Sequence, residues 1–173
     1  MGEVFDNMLS RRSIRKFTDE MIPDEVIEKI IQAGTYAPTG MGKQSPIIIA
    51  VTNKEMRDKL SAMNAAIMGS TNDPFYGAPV VIRVLSDRKI GTHVYDGSLV
   101  MGNLMNACHA LGHGSCWSHR AKEDFDSAEG KAILASLGIE GDYEGIGHCI
   151  IGYPADQMNA PAPRKENYIY RIR

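Results

Sequence analysis

Short apolar runs alternate along this chain with stretches of helical period, and that alternation restricts it to a mixed α and β fold. Pro46 to Thr52 (PIIIAVT) and the run GHCIIGYP ending at Pro154 read as buried strands. Pro79 to Leu85 (PVVIRVL) and Ser115 to Ser118 read as two more. The helices fall between them. A short one is expected over Val4 to Leu9. Pro23-Asp24-Glu25 opens the next, because proline and acids suit a first turn and its positive dipole end. Its apolar face is Val26, Ile27, Ile30, Ile31 and Gly34. Asn53 can cap a third helix, in which Met56, Leu60, Met63 and Ile67 recur at helical spacing. Val94 to Leu111 is the longest, with Leu99, Val100, Leu104, Ala107, Cys108 and Leu111 turned inward. A last helix, Ala128 to Leu137, stops at Gly138, a natural C-cap. Ser70 to Pro79 (STNDPFYGAP) is dense in turn formers and reads as an irregular connection.

At 173 residues and 43% hydrophobic the chain suits one well-cored domain, residues 1–173. A net charge of −2 gives no global reason to bind nucleic acid or an anionic membrane. No apolar segment has the length of a membrane span, and the start carries no basic-then-apolar leader. Cys108, Cys116 and Cys149 are few, odd in number and unpatterned, which suits a reducing, cytoplasmic setting.

Three stretches invite a site. APTGMGKQSP, Ala37 to Pro46, has the Gly-Lys pair of a nucleotide phosphate loop. That loop needs a glycine where Ala37 stands and Ser or Thr where Gln44 stands, and it follows a strand where this one precedes it. Walker-type binding is therefore excluded. SRRSIRKF, Ser10 to Phe17, sets Arg11, Arg12, Arg15 and Lys16 around Ser13. On a helical turn Arg11 and Arg15 would point the same way. Two readings stand: a phosphate grip through charge-assisted bonds, completed by Arg164-Lys165, or a solvated basic helix end. The third set is Cys108, His109, His113, Cys116, His119, His148 and Cys149. Its spacing matches no zinc pattern, so no metal is expected. Cys116 sits in an apolar strand, the usual place of an inert thiol. No set of catalytic side chains emerges, which suits a protein whose cofactor carries the chemistry.

Taken in order, the motifs resemble those of the FMN-dependent nitroreductase family. RRSIRKF is similar to that family's opening Arg-x-Ser-x-Arg/Lys-x-Phe, and APTGMGKQSP to its Ala-Pro-Ser-x-x-Asn-x-Gln-Pro loop. DPFYGAPVVI leads into a strand as the family's segment does. NLMNACHALGHGSCW resembles the long central helix followed by Gly-Leu-Gly-Ser/Thr-Cys-Trp, and IIGYPADQMNAPAPRK the Gly-Tyr-Pro turn and Pro-Arg-Lys tail.

The resemblance implies an α+β fold, a mixed and mostly antiparallel sheet flanked by helices, with the C-terminal segment 155–173 exchanged in a homodimer. It implies FMN as cofactor and NADH or NADPH as transient electron donor. A small nitroaromatic, quinone or similar acceptor would then take the electrons in a ping-pong sequence. By the same resemblance Arg11, Arg12 and Ser13 bind the phosphate and ribityl chain, and Arg164 and Lys165 close on the phosphate. Arg15 lies at the N1/O2 edge, where a cation stabilises charge gained on reduction. Pro38, Thr39, Gly40, Met41 and Gln44 pack on the flavin of the other subunit. Ser118, His119 and Arg120 run beside N5, and Asn64 meets the pyrimidine ring. Three departures stand out. Gly42 replaces the loop asparagine, Ser45 separates Gln44 from Pro46, and the connection before Pro79 is short. The alternative is a flavin storage or sensor protein with little turnover. Flavin-fragmenting or dehalogenating chemistry and a non-flavin anion-binding module are more distant rivals.

Overall fold

A computed structural model describes residues 2–173. Ten regular elements follow one another: α1 (Glu3–Ser10), α2 (Asp24–Thr35), β1 (Pro46–Val51), α3 (Lys54–Ile67), β2 (Val80–Asp87), α4 (His93–Ala110), β3 (Gly114–Ser118), α5 (Ala121–Asp126), α6 (Ala128–Ser136) and β4 (Tyr143–Gly152). The strands form one sheet in the order β1-β2-β4-β3, every neighbour antiparallel. This is the α+β arrangement expected.

Helices cover both faces, so the two central strands are buried on both sides and read as continuous apolar runs instead of alternating ones. Val80, Ile82 and Val84 of β2 face Ile27 and Ile30 of α2 and Val100, Met101 and Leu104 of α4. Val81 packs with Ile150, Leu60 of α3 and Phe75, and Leu85 packs with Phe125 and Leu134. Helix α4 lies hard against β4, since a Cβ on Gly97 would come 2.5 Å from the Ile146 side chain. Asn53 caps α3 by accepting from the Met56 N–H at 2.8 Å. Gly138 turns left-handed just after α6, at φ 68°.

Several expectations change. β1 is a half-exposed edge strand, not a buried one. An apolar run says that a strand packs, but not how many strands flank it. In α4 the buried stripe runs through Asp96, Gly97, Val100, Met101, Leu104 and Cys108. Leu99 falls a residue off that stripe and is 47% exposed; Leu111 is exposed beyond the helix end, and Ala107 is half-buried. Ile67 likewise ends α3 exposed. The six-residue α5 was not anticipated; Lys122, Glu123 and Asp124 give it no apolar period to read. After Ser10 the chain is extended, not helical, so Arg11 and Arg15 do not share a helical turn.

Candidate functional site

The basic segment forms the outer rim of β3. Ile14 is buried and donates its N–H to the Ser115 carbonyl at 2.9 Å, and Ser13 bridges Ser115 in parallel. With Ile14 anchored, Arg12, Ser13, Arg15 and Lys16 line a cavity of about 430 Å³ closed by Asp156 to Asn159. Lys16 is paired with Asp156 at 3.0 Å, which neutralises one of the cations. Arg12 Nη1 donates to the Leu9 carbonyl at 2.8 Å and the Arg11 carbonyl at 2.6 Å. Arg12 Nε and Arg11 Nη1 are buried donors with no acceptor in the protein. Arg11 is outside the cavity lining. Unmatched guanidinium donors at a cavity edge suit an anionic oxygen, the strongest partner they can take. His109 was missed as a neighbour: its Nε2 lies 2.9 Å from Ser10 Oγ at the end of α4. Burial, then Arg11 and Arg12, lower its pKa. The Ser-to-His distance of 99 residues left no local signal.

The loop Pro38 to Gln44 lies at the other end of α4, where the Gly40 N–H donates to Asp96 at 2.9 Å. Eighteen helical residues at 1.5 Å each separate these ends by about 27 Å. Pro38, Met41 and Gln44 are exposed, Thr39 and Gly40 half-buried. Met41, Gly42 and Gln44 are all left-handed, with φ of 53°, 65° and 49°. In the third segment Ser118 is buried and donates to the Pro74 carbonyl at 3.1 Å. His119 is exposed, and Arg120 is left-handed at φ 72°. Asn64, expected at the pyrimidine ring, is wholly buried and donates to the His119 carbonyl at 2.8 Å, so it holds this turn from within, and its Oδ1 has no partner in the protein.

Residues 8–153 match the family described as the nitroreductase family. The chain belongs to the nitroreductase family. A putative NADH dehydrogenase/NAD(P)H nitroreductase of Archaeoglobus fulgidus is 32% identical over 92% of this chain and 90% of its own length. A protein of the same description from Methanothermobacter thermautotrophicus is 32% identical over 67% of this chain, which spans 60% of that relative. Among solved structures, a nitroreductase with bound FMN from Bacteroides fragilis superposes with a TM-score of 0.91, at 26% identity, over the full length of both chains.

Elsewhere in this nitroreductase-family chain the polar and thiol groups of the central strands are buried. Arg83 on β2 (1% exposed), Asp124 on α5 (0%) and His148 on β4 (0%) meet inside the protein. Arg83 donates to Asp124 at 2.8 Å and to His148 Nδ1 at 3.1 Å, and His148 Nε2 lies 2.9 Å from Asp124. Burial and the Arg83 charge lower the His148 pKa to about 4, so it is a neutral ring. A sequence signal existed: Arg83 interrupts an apolar strand, and a charge there demands a partner. All three cysteines are buried thiols; burial pushes Cys108 up to about 12 and Cys149 well above its ordinary value. Arg164 donates to the carbonyl of Ala162 on its own loop, and Lys165 lies over Tyr168. Neither pairs with the basic segment within this chain. Among the described residues, no helix is long and apolar enough to cross a membrane.

Proposed function

We propose that this nitroreductase-family protein is an NAD(P)H-dependent oxidoreductase that works with FMN in a homodimer, passing electrons to a nitroaromatic, quinone or similar small acceptor. The observation that carries the reading is the pair of buried, unmatched guanidinium nitrogens, Arg11 Nη1 and Arg12 Nε, one of them on an arginine that lines a cavity with Ser13 and Arg15. FMN-bound relatives of the same fold support it. So do curated relatives such as the FMN reductase [NAD(P)H] of Bacillus subtilis, 36% identical over 36% of this chain.

FMN, when bound, supplies the redox chemistry, taking hydride from NADH or NADPH and handing electrons to the acceptor in separate half-reactions. The chain supplies binding, orientation and charge. Arg11, Arg12 and Ser13 would hold the phosphate and ribityl chain, and Arg15 would set positive charge where electron density rises on reduction. Ser118, His119 and Arg120 would offer backbone groups, fixed from beneath by Asn64 and Pro74.

Distance supports a second subunit. The loop Pro38 to Gln44 and the basic rim stand at opposite ends of α4, too far apart to flank one ligand in one chain. Two chains paired with their α4 helices antiparallel would bring each loop to the other's rim. Exposed Val4, Phe5, Met8, Leu9, Tyr95 and Leu99 on α1 and α4 provide apolar surface for such a pairing. The exposed tail 155–173, with Tyr168, Ile169, Tyr170 and Ile172, would embrace the partner, bringing Arg164 and Lys165 to its phosphate.

The test is to load the purified protein with FMN, mix it with NADH or NADPH in a stopped-flow instrument, and follow loss of flavin absorbance before adding acceptors. Bleaching and reoxidation by an acceptor are expected. A protein that takes up no FMN refutes the reading, and one that binds FMN without being reduced is a storage or sensor protein instead. Arg12→Ala is expected to weaken FMN retention at least tenfold.

A further inference from the structure

Asp96 stands in the first turn of α4, where an acid is favourable beside the helix dipole. Its oxygens face elsewhere. Oδ1 accepts the Gly40 N–H at 2.9 Å, and Oδ2 accepts the Ser45 hydroxyl at 2.7 Å and the Thr92 hydroxyl at 3.0 Å. One carboxylate, 2% exposed, therefore grips both ends of the segment Gly40 to Ser45. Ser86 on β2 donates to Ser45 Oγ at 2.9 Å and ties the grip to the sheet.

Between the gripped ends the backbone is in a conformation that it would not choose. Met41 and Gln44 are side-chain-bearing residues at positive φ, a region in which Cβ crowds the carbonyl oxygen. Such conformations persist only where the surroundings over-determine them, and they cluster at binding sites. The contact of the loop with α4 is also close. A Cβ on Gly40 would fall 2.3 Å from Thr92 Oγ1, so only glycine lets the loop reach the carboxylate. Burial raises the Asp96 pKa, but the bonds from Gly40, Ser45 and Thr92, with the charge of His93 nearby, more than offset it and hold the carboxyl below its ordinary value.

We propose that Asp96 is a positioning residue for flavin binding, holding Gly40 to Ser45 in the left-handed shape that walls the flavin of the second subunit. The proposal rests on the FMN reading above and deepens it. Ser45, the residue that separates Gln44 from Pro46, is the second anchor, which gives that insertion a purpose: it carries the hydroxyl that ties the loop's end to Asp96. Gly42 lies between the gripped ends, is exposed and makes no bond to Asp96, so a side chain there is not needed to anchor the loop.

The experiment uses the full chain with and without FMN, as wild type, Asp96→Asn and Gly40→Ala. Asparagine keeps the shape but removes the charge and one acceptor, and alanine leaves the carboxylate in place but strikes Thr92 Oγ1 and so drives the loop off its anchor. Amide hydrogen exchange over 39–45 is expected to quicken at least tenfold in both variants of the FMN-free protein, with β2 and β4 unchanged. The FMN dissociation constant should rise at least fivefold, and the visible circular dichroism of the bound flavin should change. Wild-type exchange, or faster exchange with FMN affinity and dichroism unaltered, overturns the proposal. If Asp96→Asn does not fold, Gly40→Ala decides by the same readouts. A wild type that takes up no FMN removes the parent reading and flavin positioning with it; the exchange arm then reports separately whether Asp96 holds the loop.

Discussion

Protonation of His148 should weaken the fold as the solution turns acidic, because its folded pKa lies near 4 against an ordinary value of 6.5. The ring is fully buried between Arg83, whose Nε donates to Nδ1, and Asp124. A proton on Nδ1 would break the first bond and set a cation against the guanidinium. Between the two pKa values the unfolded chain binds the proton and the folded one does not, so stability rises with pH. The contribution is complete above about pH 6.5 and is lost as pH falls toward 4. Integrated from pH 7 to pH 5, that single ring accounts for about 2 kcal/mol. With a urea slope of about 2 kcal/mol per molar, the unfolding midpoint falls by about 1 M. His109 and His113, also lowered chiefly by burial, add to the slope in the same direction. The lowered carboxylates Asp73, Asp96 and Glu144 act mainly at lower pH, where they begin to titrate. His148→Gln isolates the ring: its amide oxygen can accept from Arg83 and does not titrate. Urea unfolding of the FMN-free protein at pH 7, 6 and 5 should show a flatter dependence in the variant by about 2 kcal/mol. Parallel wild-type and variant curves would refute the reasoning.

Three further outcomes are expected from the fold. Asn53→Ala removes the N-cap of α3 and should lower unfolding stability by about 1 kcal/mol, read from the shift of the urea midpoint. Gly145→Ala would place Cβ 2.0 Å from the Ala121 carbonyl and is expected to cost about 3 kcal/mol or more, whereas Gly102→Ala on α4 meets open space and should stabilise by about 0.5 to 1 kcal/mol in the same assay.

The elements were legible wherever chemistry was local. Asn53 stands before a helical apolar period and caps it; Ile27, Ile30 and Gly34 repeat at helical spacing and are buried. What depends on neighbours was not. PIIIAV is apolar enough for a central strand, and only the pairing order puts it at the edge. The segment Arg11 to Lys16 looked like a helix end, yet Ile14 pairs with Ser115, a partner about a hundred residues away that no local period can announce. The basic rim was found because its charges are contiguous, whereas His109 reached it only through the packing of α1 on α4. For Asn64 the resemblance implied a contact with the pyrimidine ring; in the fold its amide donates to the His119 carbonyl, 55 residues away in sequence.

That last case is general in this chain. Asp96 holds Gly40 and Ser45, and Asn64 holds His119. Asp73 accepts from the backbone of Phe75 and Gly77 and from Arg57 and Ser61. Each of these polar side chains shapes an irregular segment, and two of the three segments carry left-handed residues that are not glycine, Met41 and Gln44 in one and Tyr76 in another, with Arg120 beside the third. A protein that brought its own nucleophile would have to turn such groups toward solvent and keep a base within reach. Here the polar groups face backbone, the thiols are buried, and of the two arginines in the basic segment that carry a buried unmatched nitrogen, Arg12 lines the cavity and Arg11 lies outside its lining. The division of labour is that of a scaffold whose loops are fixed in shape so that a bound group can do the chemistry. It follows that substitutions at these clamps should alter the binding and spectrum of that group before they alter the fold, a separation that the Asp96→Asn exchange and affinity measurements are built to resolve.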